Sequence, residues 1–227
     1  MKIRILSIAL SFFFFSTSIK LAAQSNGQLY TLGVQMGLAC TQASIAISTE
    51  SNRGSIDGPA FKLAMEALKG ALITTKAINT AYNGPTLFLD FHPLAGLVNS
   101  SSNNTQPKID ISLNKKILEN FYSRTLSVRN SYTKELAELH KDAISQLHAY
   151  LLGVNLAIAE AQASVGEAAR QIVSASLAVA KNEAQVLSLD TSRLDECIAL
   201  LKGTTAIQTV YTKISAIRVS YQSGLSQ

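Results

Sequence analysis

Tryptophan is absent from this 227-residue chain, aromatics make up 7% of it, and only three histidines, two cysteines and four prolines occur. Each scarcity excludes something. Few aromatics remove the usual anchors of sugar-stacking sites and of membrane-interface belts. The histidines, His92, His140 and His148, show neither Glu-x-x-His nor His-x-x-x-His spacing, and there is no paired-cysteine motif. His140 and His148, eight residues apart, sit about 80° from each other around an ideal helix. No metal site and no cofactor is expected from such residues. Glycines occur singly, so no phosphate-cradling loop is present, and no G-x-S-x-G motif marks a nucleophile.

Charge is scarce as well, at 15% of residues, with a formal balance of +5. The first 25 residues account for most of that excess. Lys2 and Arg4 precede an apolar run from Ile5 to Phe15, and a small-residue stretch, Leu21-Ala22-Ala23-Gln24-Ser25, follows. This is the plan of a secretory signal peptide, with a run too short for a permanent membrane span and cleavage expected after Ala23 or Ser25. Lys2, Arg4 and Lys20 leave with it, so the mature segment 26–227 carries 17 − 15 = +2. The densest basic pair left is Lys115-Lys116, which gives nucleic acid no phosphate-neutralising footprint. The expected location is extracellular, or periplasmic in a Gram-negative source.

What the chain does have is helical periodicity. Leu29, Leu32, Met36, Ala39 or Cys40, Ala43 and Ile47 share one face of a helix over 29–49. Pro59 suits a first helical position, and Gly84-Pro85 ends the second helix. Residues 84–111 read as one long irregular loop, with a short extended piece at "TLFLDFHPL" and a polar loop at 99–107. That loop carries two N-glycosylation sequons, at Asn99 and Asn103, meaningful if the host is eukaryotic. Beyond residue 107 there is no proline. Ile144, Leu151, Ile158, Val165, Ile172, Val179 and Val186 recur every seven residues, with mostly small residues three positions later. The pattern predicts a heptad seam along one long helix, continuous with the helical stretch upstream of it. Gly153 and Gly166 fall outside the seam and are expected not to break it. "AISQLHAYLLGVNLAIA" (143–159) is uncharged, yet its polar side chains and seam predict a packed helix and no membrane span. The last helix is expected to start near Asp190–Ser192, with Gly203 as a kink.

The fold expected is therefore all-α: an elongated helical bundle of about five helices with coiled-coil-like packing, forming a single domain over 26–227. Cys40 and Cys197 lie on apolar helical faces in a compartment that permits a disulfide, and a bond between them would tie the first helix to the last. The expected function is binding without catalysis, toward a protein partner, a second copy through its helices, or an apolar small molecule. Two alternatives remain. One is a membrane-active protein, motivated by the uncharged stretches 25–49 and 143–159 but lacking the basic polar face such helices show. The other is a hydrolase-like enzyme using Asp90 and His92, which an extended chain would place on one face.

Overall fold

The computed structural model describes residues 2–81, 87–102, 110–138 and 144–226; for residues 2–25 it gives the helical backbone alone. Among the described residues there are eight α-helices and no strand. They are α1 (Lys2–Thr49), α2 (Pro59–Ala81), α3 (His92–Ser102), α4 (Ile111–Glu138), α5 (Ile144–Ala163), α6 (Arg170–Val186), α7 (Ser192–Lys202) and α8 (Ile207–Leu225). The all-α expectation holds, but the count of about five does not, for four local reasons.

The stretch taken as one irregular loop contains α3, so Asn99 lies exposed on a helix; the Asn103 sequon falls outside the described residues. The supposed long helix breaks at Gly166, whose φ of 114° and ψ of −166° belong to a region that glycine alone adopts readily. α5 and α6 therefore fold back on each other as a hairpin. Continuity upstream fails too: Tyr150 Oη donates to the Arg129 carbonyl at 3.2 Å. An unbroken helix would hold those residues about 30 Å apart along its axis. Gly203 separates α7 from α8 outright.

Cross-helix contacts give the arrangement. Gln35 lies against Gly70, so α2 runs back along α1; Asn114 donates to the Gly54 carbonyl, so α4 starts where α1 ends. Successive helices alternate in direction, which makes α1 and α5 parallel. They form the spine. A Cβ added to Gly33 would collide with the Tyr150 carbonyl, and one on Gly153 with the Tyr30 carbonyl; on Gly37 it would sit 2.6 Å from the Val154 oxygen. Glycine at these positions lets the two backbones touch. α5 is buried around almost its whole circumference, which explains its near-uniform apolarity. α2, α3 and α4 cover one flank of the spine and α6, α7 and α8 the other, each flank with its own apolar cluster.

The two flanks are copies of one design. Tyr30, Leu32, Gly33, Val34, Ala39, Gln42, Ala43 and Ser44 recur 120 residues later as Tyr150, Leu152, Gly153, Val154, Ala159, Gln162, Ala163 and Ser164. Leu87, Leu89, Asp90 and Leu94 recur 100 residues later as Leu187, Leu189, Asp190 and Leu194. Tyr122, Arg129, Ser131, Tyr132 and Leu136 recur 89 residues later as Tyr211, Arg218, Ser220, Tyr221 and Leu225. The offset shrinks because α6 and the α7–α8 connection are shorter than their counterparts. Contacts repeat with the residues. Tyr30 Oη donates to the Arg218 carbonyl at 2.8 Å, and Tyr150 Oη to the equivalent Arg129 carbonyl. Tyr132 Oη donates to the Asp90 carbonyl, and Tyr221 Oη to that of Asp190. The chain is an internal duplication, α1–α4 and α5–α8, with an approximate two-fold axis along the spine.

Helix ends show where the halves have diverged. The carboxylate of Glu50, 5% exposed, accepts from the backbone N–H groups of Ala60 (2.7 Å) and Phe61 (3.3 Å) at the start of α2. Those are donors the helix itself leaves unsatisfied. In the second half Glu167 performs that task for a different helix, accepting from Ile207 N–H at the start of α8. Arg170 holds Glu167 in place while donating to the Leu201 and Thr205 carbonyls around the α7–α8 turn.

Gly153→Ala is expected to lower unfolding stability in urea by about 1–3 kcal/mol, the range for overpacking a tight interior. Gly224→Ala, where a Cβ meets nothing within 4 Å in the last turns of α8, is expected to be neutral or stabilising.

Candidate functional site

Asp90 and His92 do come together. The Asp90 carboxylate lies 2.9 Å from His92 Nδ1 and also accepts the His92 backbone N–H at 3.0 Å. That backbone bond is the main reason its carboxyl is held below the usual carboxylate range. Both side chains are more than half exposed. The second half builds the same turn without a histidine: Asp190 accepts the Ser192 N–H at 2.9 Å, and its carboxyl is lowered for the same reason. The aspartate thus starts the short helix in each half, α3 and α7. The histidine is an addition to one of them, stacked on Phe91, over whose ring Lys76 sits. Around this turn Leu87 and Leu89 are buried and Phe88 is exposed, the alternation expected of an extended piece. Asn79 pairs with both backbone groups of Leu89, as a neighbouring strand would.

The other candidate residues are dispersed. Cys40 and Cys197 are both buried and free, so the expected bond between them is not formed. Cys40 lies on α1 within the field of Arg129 of α4, whereas Cys197 sits within that of Glu196 and Lys213 between α7 and α8. The spine stands between them. His148 Nδ1 and the Glu183 carboxylate are within hydrogen-bond distance across the α5–α6 hairpin, and His140 falls outside the described residues. Among the described residues no group of three His, Cys, Asp or Glu side chains could hold a metal. Nor is any helix there long and apolar enough to cross a membrane. The two uncharged stretches that suggested membrane activity are α1 and α5, packed on each other. Among the described residues, a hollow of about 190 Å³ lies among Phe61, Leu97, Phe121 and Arg124, and another of about 410 Å³ lies among Gly27, Thr31, Ile73 and Ser226.

The heptad seam is the largest correction. Ile144, Val165, Ile172, Val179 and Val186 are exposed, by 55%, 52%, 50%, 42% and 53%, and Leu151 and Ile158 are half-buried. α6 packs inward through Val173, Ser176, Leu177, Ala180 and Ala184, the faces next to the seam. Outward it presents Gln171, Ile172, Ala175, Ala178, Val179, Asn182, Gln185 and Val186. None of these is charged. The corresponding outer face of α2 carries Lys62, Glu66, Lys69 and Lys76 between its exposed Leu63 and Ile73. One design has therefore produced two outer helices, one charged and one bare. The charges flanking the α6 stripe are engaged within the chain: Lys181 with Asp195 at 2.6 Å, Glu183 with His148, and Glu167 with Arg170.

In comparisons with family models, curated proteins and solved structures, nothing matches this chain.

Burial pushes the Cys40 thiol up to about 11 and raises that of Cys197, so both are poor nucleophiles near neutral pH. Iodoacetamide is expected to leave both unmodified in the native protein and to label both in denaturant without reductant. The lowered carboxyls of Asp90 and Asp190 give a second expectation. The stability they add is present above the unfolded carboxylate range near about 4 and is lost as pH falls through their lower folded values. The decline in Tm between about pH 6 and about pH 3 is expected to be shallower in Asp90→Asn and Asp190→Asn than in the parent.

Proposed function

We propose that residues 26–227 are exported behind a cleaved signal peptide at 1–25 and act by binding, through the outer stripe of α6, with no reaction of their own. One observation carries this reading: eight outward positions on α6 are uncharged, while the duplicate helix α2 keeps four charged ones. A surface free to vary in an aqueous compartment accumulates charge. The bare stripe on one copy alone marks the place where water is excluded in use. The coiled-coil packing expected from the heptads belongs here, between α6 and its partner, and not within the chain. The aspartate of the Asp90–His92 turn has a structural role in starting a helix, which the other half repeats.

Native mass spectrometry of protein recovered from culture medium tests this. The expected result is a chain beginning near residue 24 or 26, with additional mass that is lost on denaturation. Val179→Lys should abolish the additional mass and Ile73→Lys, on the exposed face of α2, should leave it. Retention in both variants would move the site elsewhere.

A further inference from the structure

We infer that the occupant of the α6 stripe is a second copy of this chain, packed antiparallel across it. The inference rests on the binding reading above and names its partner. The stripe is complementary to itself in one orientation. Its branched residues, Ile172, Val179 and Val186, alternate with the small or polar Ala175 and Asn182 at heptad spacing. Side by side in the same direction, two stripes would set Val179 on Val179 and Ala175 on Ala175, leaving gaps between tight layers. Reversed about a two-fold axis near residue 177, they set Val179 against Ala175 and Ile172 against Asn182, while Val186 reaches past the start of the other α6. Val179 and Ile172 then each meet a smaller or slimmer side chain, and Asn182 reaches the neighbouring Gln171 amide of the other copy. A two-fold axis makes every contact occur twice, the usual form of a homodimer interface.

Charge points the same way. No charge lies on the stripe, and the charged residues beside it are already paired within the chain. A charged partner would find no counter-charge, whereas a second copy brings a stripe as bare as its own. Size sets the strength. The 17 residues of α6 span about 26 Å, and a strip that long and about 10 Å wide is well short of the roughly 800 Å² per partner of a stable interface. The dimer is therefore reversible and grows with concentration.

Sedimentation velocity on the mature protein, from micromolar to near-millimolar, is expected to show a monomer–dimer equilibrium. Val179→Lys should raise its dissociation constant at least about tenfold by placing unpaired charges in a closing apolar seam. Ile73→Lys should leave it unchanged, and circular dichroism should show both variants fully helical. Orientation is read by oxidising an equimolar mixture of the Ala175→Cys and Val179→Cys chains, the native cysteines being buried. A disulfide between the two variants, with little in either alone, is expected. A monomer at every concentration would overturn the proposal, as would a dimer indifferent to Val179→Lys or cross-linking of each variant with itself. Two outcomes separate this inference from the reading beneath it. A different protein mass lost in Val179→Lys, or flotation with phosphatidylcholine–phosphatidylglycerol vesicles lost in that variant, would end the second-copy proposal and keep α6 as the site. Extra mass and flotation that both ignore Val179→Lys would end both.

Discussion

The backbone contact between α1 and α5 is the constraint on which the other helices depend. Three glycines, Gly33, Gly37 and Gly153, let two parallel helices meet with no side chain between their backbones. Parallel neighbours cannot be joined by a short turn, so an odd number of helices must lie between them, and in this chain three do. α2, α3 and α4 fill one flank on the way, and α6, α7 and α8 fill the other afterwards. The tyrosines three residues before Gly33 and Gly153 each reach across the spine into the opposite half, to the Arg218 and Arg129 carbonyls. Neither half is finished without the other.

Duplication explains both the regularity and its exceptions. Residues that hold the spine or start the short helices persist in both halves: Tyr30 and Tyr150, Asp90 and Asp190, Tyr132 and Tyr221. Several residues that face outward do not. Charges lie along the outer face of α2 and not along that of α6, and a histidine stands two residues after Asp90 where a serine stands two residues after Asp190. Positions with the same surroundings in both copies act as a control within one molecule, separating what folding requires from what one half alone has acquired.

Much of the fold is legible in the residues, and the errors have a common cause. Apolar periodicity locates α1 from Leu29 onward, Pro59 marks the start of α2, and alternation at Leu87 and Leu89 marks the extended piece. Periodicity tells which residues share a face but not whether that face looks inward. The seam through Ile172, Val179 and Val186 is a genuine helical stripe that faces outward, because Val173, Leu177 and Ala180 on the neighbouring face meet α5. Gly153 and Gly166, read as tolerated positions, prove decisive for opposite reasons, one through close approach and the other through its backbone angles. The repeat was legible in Tyr-x-Leu-Gly-Val at 30 and again at 150, although a reading confined to local periods passes over a spacing of 120.

A parallel spine also orders events in time. The face of α1 that carries Gly33 and Gly37 finds its counterpart only when residues 150–157 exist, more than a hundred positions later in the chain. Contacts of such separation form late, because a long loop must close before they contribute. The first four helices emerging from a ribosome would therefore stay open along the spine until the fifth arrives, and the last helix, α8, closes against α1 through Tyr30 and Arg218. Synthesis alone cannot lock this fold from its N-terminal end.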